Sequence, residues 1–155
     1  MSKLNYPGAD FDELAWRLLS PEDYQNPLPQ SRYHLVVVGA GPAGLISAIG
    51  AAGLGARVAL IERHRMGGDC LNSGCVPSKA LISAAKYAAS AHEGVDYGIV
   101  TGTPVTDWQK VQAHIRSAID TIAPVDSQER FEGLGVTVIR EHAKFSGPQT
   151  INSPS

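Results

Sequence analysis

Residues 33–62, YHLVVVGAGPAGLISAIGAAGLGARVALIE, leave the chain few ways to fold. The apolar, β-branched run that begins at Tyr33 stops at a glycine, as a strand buried on both faces does. PAGLISAIGAAGLG follows as a small-residue helix and ARVALIE as the next strand, a βαβ unit of about thirty residues. Leu35 to Ala56 carries no charge over 22 residues, long enough for a membrane span. Six glycines and Pro42 inside that window oppose a continuous lipid-facing helix. A strand, a tight turn and a buried helix account for it better, and no membrane partner is expected.

The turn itself, Gly39-Ala40-Gly41-Pro42-Ala43-Gly44, has the G-x-G-x-x-G spacing. That spacing is weak evidence alone; here it ends a strand, opens a helix and is followed by an acid, Glu62, at the end of the next strand. Each position has a physical task. Gly39 allows the turn, Gly41 lets backbone approach a pyrophosphate, and Gly44 lets the helix press on the strand. The phosphates would lie on the helix N-terminus, beside Pro42 and Ala43, where free N–H groups favour anions. Glu62 would accept hydrogen bonds from a ribose diol and would repel a 2′-phosphate, so FAD or NAD is expected rather than NADP. Arg63, next to it, joins the cofactor-binding candidates.

Both cysteines, Cys70 and Cys75, stand in GGDCLNSGCVPSK, residues 67–79. A regular helix would separate residues five apart by roughly 8–9 Å, beyond the reach of a disulfide. If the two bond, the segment between them is not regular helix; Asn72, Ser73 and Gly74 suggest an irregular turn, with the true helix beginning near Pro77. Cys75 is then at or near a helix N-terminus, where a thiolate is stabilised. A structural staple closing so short a loop would restrict the unfolded chain little. Structural zinc needs about four ligands, and no second pair of cysteines exists, so no metal site is assigned. Redox exchange fits two close thiols best.

The stretch from Tyr33 to Ser83 resembles the FAD-binding start of the flavin-dependent disulfide reductases, the family of dihydrolipoamide dehydrogenase, glutathione reductase and mercuric reductase. G-G-x-C-L-N-x-G-C-V-P-S-K carries the resemblance, and HAKFSGPQTI, up to Ile151, is similar to the strands that return to the flavin's adenine. Asp69 stands where many members have threonine; with the proline-rich N-terminal segment, it resembles a mercuric-reductase-like branch.

The resemblance implies an α/β, Rossmann-type FAD-binding domain, a parallel sheet with flanking helices, and electrons passing from NAD(P)H through FAD to a Cys70–Cys75 disulfide. A small-molecule disulfide or Hg(II) would be the substrate. By the same resemblance Cys75 contacts the flavin, Cys70 is the interchange thiol, and Lys79 approaches the flavin. Gly68, Asp69 and Ala143 are candidates for backbone contact with the cofactor. Family members are about three times this length, so residues 33–155 are expected to be the first portion of the FAD domain, without the nicotinamide-binding and dimerisation domains, and residues 1–32 an extension. A homodimer is expected of the full-length protein. The alternative is a non-catalytic nucleotide-binding fragment or remnant.

Composition narrows the partners. A net charge of −2, with no clustered basic excess, argues against nucleic acid. Residues 1–33 show no secretory leader pattern, so a cytoplasmic location is expected.

Outside the βαβ unit, ADFDELAWRLL suggests a short amphipathic helix that packs on the domain or stands free, followed by a capping-box-like Ser20-Pro21-Glu22-Asp23. Thr106 and Gln109 suggest a capping box for a helix carrying Val111, Ile115, Ile119 and Ile122 on one stripe and closed by Pro124. GVTVIREHAKFSG reads as one or two strands. His34, His64, His92, His114 and His142 receive no catalytic role, and Trp16, Trp108, Tyr87 and Tyr97 read as packing residues.

Overall fold

A computed structural model describes residues 13–152. Its centre is a parallel sheet of three strands in the order β1 (Leu35–Val38), β2 (Val58–Ile61), β3 (Val136–Ile139). Leu35 pairs with Val58 and Val58 with Val136, so the strands stay in step to their carboxyl ends at Val38, Ile61 and Ile139. All four β2 residues are buried. An apolar run without alternation suits a strand covered on both faces.

Helix α2 (Pro42–Gly53) joins β1 to β2, with Pro42 in its first turn, where a missing N–H costs nothing. Its Leu45 and Ala48 are buried in the core with Val58, Leu60 and Val138. The connection from β2 to β3 is long: α3 (Gly68–Asn72), α4 (Cys75–Glu93), a 3₁₀ turn at Gly94–Tyr97, α5 (Trp108–Ile122) and α6 (Gln128–Gly133). Beyond β3, β4 (Lys144–Gly147) and β5 (Thr150–Asn152) form a separate antiparallel hairpin. The α/β, parallel-sheet expectation holds.

The N-terminal helix is present as α1 (Glu13–Leu19); residues 9–12 of its expected span lie outside the described residues. It packs on the domain: Ala15 and Leu19 are buried in the core, and Leu18 lies against it, a spacing that aligns them on one helical face. The stripe on α5 likewise turns Ile115, Ile119 and Ile122 to the core.

Three local expectations need correction, and one helix had no counterpart in the sequence. Ser20–Asp23 caps no helix and forms only a bend and turn, because Asn26, Pro27 and Pro29 follow and deny it a helical continuation. The N-cap of α5 is Asp107, whose Oδ1 accepts from the N–H groups of Gln109 at 3.1 Å and Lys110 at 3.2 Å, so the Thr106–Gln109 box is out of frame by one residue. Helix α6 escaped the periodicity reading because its six residues show less than two turns; Ser127 Oγ caps it from Arg130 N–H at 3.3 Å. Tyr87, Tyr97 and Trp108 are exposed rather than packed.

Candidate functional site

The carboxyl ends of the three parallel strands open on a cleft of about 210 Å³ lined by Val38, Gly39, Ile61, Glu62, Arg63, Glu141, His142 and Ala143. In open α/β sheets, ligands bind outside these strand ends. The fold therefore brings Gly39, Glu62, Arg63 and Ala143 to one place from three separate strands.

Glu62 is buried, and both its oxygens are engaged by backbone. Oε2 accepts the Ala40 N–H at 2.7 Å and Oε1 the His64 N–H at 2.7 Å. Charge-assisted bonds of this kind are among the stronger ones. Glu62 thus clamps the glycine loop to the loop after β2, a task the ribose expectation did not include. Each carboxylate oxygen keeps a second acceptor site for a diol.

The glycine loop fits a pyrophosphate sterically. Gly39 has φ +100°, in the region closed to most side chains. A Cβ built on Gly41 would meet nothing within 4 Å, so that backbone borders open space, while one on Gly44 would overlap the Gly39 carbonyl oxygen. Gly41 forms the N-cap of α2 and leaves the helix N-terminus without a side-chain cap. Uncapped N–H groups at such an end suit an anion.

Gly68 links this loop to the cysteines. With φ +57°, its hypothetical Cβ would stand 2.8 Å from Gly41 Cα, so the two backbones lie in contact and only glycine fits. From there α3 runs to Cys70. Asn72 ends the turn by donating from Nδ2 to the carbonyls of Met66 at 3.0 Å and Gly68 at 2.8 Å. The Asp69 carbonyl accepts from Ser73 N–H at 2.9 Å and Gly74 N–H at 2.6 Å, which breaks the chain direction before α4 begins.

Two sequence expectations change here. Asn72 belongs to the short helix α3, which also holds Cys70, so the irregular turn narrows to Ser73 and Gly74, and α4 starts at Cys75 instead of near Pro77. Pro77 is accommodated in the first turn, where N–H groups have no helical acceptor. Cys75 is the first residue of a 19-residue helix, as its expected helix-terminal position requires.

Both thiols are free, Cys70 half-buried and Cys75 exposed. The pKa of Cys70 is pushed above the ordinary thiol value, first by its hydrogen bond with the Cys75 side chain, then by burial and the charge of Cys75; a backbone N–H of Cys75 and the Lys79 ammonium oppose the rise. Lys79 is exposed one turn along α4, close enough to act on Cys70. The Asp69 side chain is exposed, and Pro42 and Ala43 line the outer start of α2.

Val38, Ile61, Glu141 and His142 also border the cleft and were not singled out from sequence. The only local signal for them is position, at or just past a strand's carboxyl end.

Comparison with known proteins gives a consistent result. The family profile described as "Pyridine nucleotide-disulphide oxidoreductase" matches residues 33–150. The dihydrolipoyl dehydrogenase of Vibrio cholerae is 40% identical over 122 residues, covering 76% of this chain and 25% of the relative. Its counterpart in Vibrio parahaemolyticus is 37% identical over 119 residues, with coverages of 76% and 25%. That of Bacillus subtilis is 37% identical over 93 residues, covering 60% of this chain and 20% of the relative. The chain spans about a quarter of the length of these curated relatives.

Proposed function

Because the chain belongs to the pyridine nucleotide-disulphide oxidoreductase family, we propose that it forms the FAD-binding, dithiol-bearing part of an NAD(P)H-linked flavoprotein disulfide oxidoreductase. The observation that carries this reading is the contact of Gly68 on Gly41. It sets the glycine loop, tied at Ala40 to Glu62, directly against the start of the segment that carries Cys70 and Cys75. A dinucleotide laid along these segments would have its ribose at Glu62, its pyrophosphate over Gly41 and the start of α2, and its far end toward the thiols.

FAD, when bound, supplies the two-electron link between a nicotinamide and the sulfur pair. The chain's own residues do the rest. Glu62, Arg63 and Ala143 hold the adenosine end, and Gly39 and Gly41 leave room for the phosphates. Gly68 and Asp69 present backbone, and Lys79 brings positive charge toward the sulfurs.

In the exchange step Cys70, as thiolate, attacks one sulfur of a substrate disulfide; the substrate S–S bond breaks and one substrate thiolate leaves and takes up a proton. Cys75 then attacks Cys70 in the mixed disulfide, the second substrate thiol departs, and the Cys70–Cys75 bond closes. The substrate gains two electrons and the cysteine pair loses two. The reverse series oxidises a dithiol, the direction suggested by the name dihydrolipoyl dehydrogenase that the relatives carry. Those names favour a small dithiol–disulfide substrate over Hg(II), whose support is the Asp69 position and the proline-rich extension. A homodimer and a cytoplasmic location, where thiols are kept reducible, belong to the same reading.

The test is a titration of the chain with FAD followed by flavin fluorescence, then absorption spectra of Cys70→Ser and Cys75→Ser. One-to-one uptake is expected, with a long-wavelength band in Cys70→Ser, where Cys75 remains to face the flavin, and none in Cys75→Ser. A chain that takes up no FAD, or two variants with identical spectra, overturns the reading.

A further inference from the structure

The family match begins at Tyr33, yet the segment before it is bonded into the molecule at several places, one of which is the outer wall of the cleft. Asn26 uses both ends of its amide there: Oδ1 accepts the Arg140 N–H at 2.7 Å, and Nδ2 donates to Glu141 Oε1 at 2.9 Å. Arg140, the first residue past β3, sends its guanidinium back to the Leu19 carbonyl at 3.1 Å, to Ser20 Oγ at 3.0 Å and to the His64 carbonyl. Trp16 stacks under Arg65, with 3.4 Å between the guanidinium carbon and the ring centroid. Two of the tethered stretches adjoin the cleft directly, since Glu141 heads the Glu141–Ala143 wall and His64 follows Glu62 and Arg63.

We propose that the contacts of Leu19, Ser20 and Asn26 with Arg140 and Glu141 form a strap that preorganises the cleft, with Asn26 as the positioning residue that sets the Glu141–Ala143 wall for the adenosine end of the dinucleotide. The inference rests on the FAD reading above. Its physical basis is that the wall has little apolar anchoring of its own: Glu141 and Ala143 are half-buried and His142 is exposed. A loop that must be ordered as the ligand arrives subtracts from affinity, and a loop already held does not. The Asn26 amide, bonding to Arg140 and Glu141, acts as an added backbone partner at a strand end that would otherwise fray. Tyr24, two residues before Asn26, is bonded instead to Glu132 and to the Val138 carbonyl, neither of which lines the cleft.

The experiment measures dissociation constants of ADP and of FAD for the 155-residue chain, Asn26→Ala and Tyr24→Phe, at a temperature where circular dichroism shows all three folded. In Asn26→Ala both constants should rise by the same factor, about 2- to 10-fold for each hydrogen bond lost, with the alkylation rates of Cys70 and Cys75 unchanged. Tyr24→Phe should melt earlier yet bind both ligands as the parent does. Unchanged ADP and FAD affinity in Asn26→Ala overturns the strap alone. Equal weakening in Tyr24→Phe, or faster alkylation of both thiols in Asn26→Ala, also overturns it, since the segment would then be acting on the fold at large. A parent chain that binds neither ligand removes the FAD reading and the strap together.

Discussion

A methyl group added at Gly44 has nowhere to go: it would overlap the Gly39 carbonyl and lie 3.2 Å from Val37 Cγ1, against backbone that cannot rotate away. Gly44→Ala should therefore cost about 1–3 kcal/mol through overpacking, read as a lower urea midpoint, whereas Gly41→Ala, which meets no atom, should keep its stability and lose FAD. Glu62→Gln places an amide where two backbone N–H groups donate, from Ala40 and His64. One donor would then face an NH₂ group, a loss of about 1–3 kcal/mol expected for a buried polar group left unsatisfied and measurable in the same denaturation series. The raised pKa of Cys70 has its main cause in Cys75. Removing that partner with Cys75→Ser should bring the pH midpoint of Cys70 alkylation downward; an unchanged midpoint would separate the two sulfurs.

At the scale of elements, the capping of α5 distinguishes two neighbouring residues that the sequence leaves nearly equivalent. Asp107→Ala removes the acceptor for Gln109 and Lys110 N–H groups and should cost about 1 kcal/mol, while Thr106→Ala should leave the urea midpoint unmoved. Further along, the turn between α5 and α6 half-buries Asp126, and burial raises its carboxyl pKa, with Arg130 opposing. A carboxyl whose folded pKa lies above its unfolded one adds stability below the unfolded value and loses it as pH rises through the folded value, because the unfolded chain ionises first. Asp126→Asn should accordingly be more stable than the parent at neutral pH, with the difference vanishing below pH 3.8, the ordinary value of the group. Thermal melts across that range would read it, and a difference that persists in acid would point to packing instead.

Over the whole molecule, β1 has β2 on one side only among the described residues, and α2 and the residue after it turn Ile46, 71% exposed, and Leu54, 91% exposed, to solvent. Unpaired parallel edges and exposed apolar side chains promote association. Ile46→Lys should reduce concentration-dependent light scattering while changing stability by less than about 0.5 kcal/mol; unaltered scattering would acquit this face. No helix among the described residues is long and apolar enough to cross a membrane, and the uncharged run that raised that possibility divides into β1, the turn and α2. What could be read directly from the sequence is what local stereochemistry dictates: the strand stopping at Gly39, the helix opening at Pro42, the acid after β2, and Cys75 at a helix start. These depend on backbone φ angles, missing side chains and free N–H groups within a few residues of one another. The short turns α3 and α6 and the one-residue frame of the α5 cap were less legible, because a single turn carries too few residues for periodicity to register. The cleft and its strap were decided by the tertiary structure alone. Asn26 meets Arg140 across 114 residues of chain, and Arg140 meets Leu19 across 121. Such contacts are created when β3 takes its place beside β2, so neither partner bears a local mark of the other until the sheet is assembled.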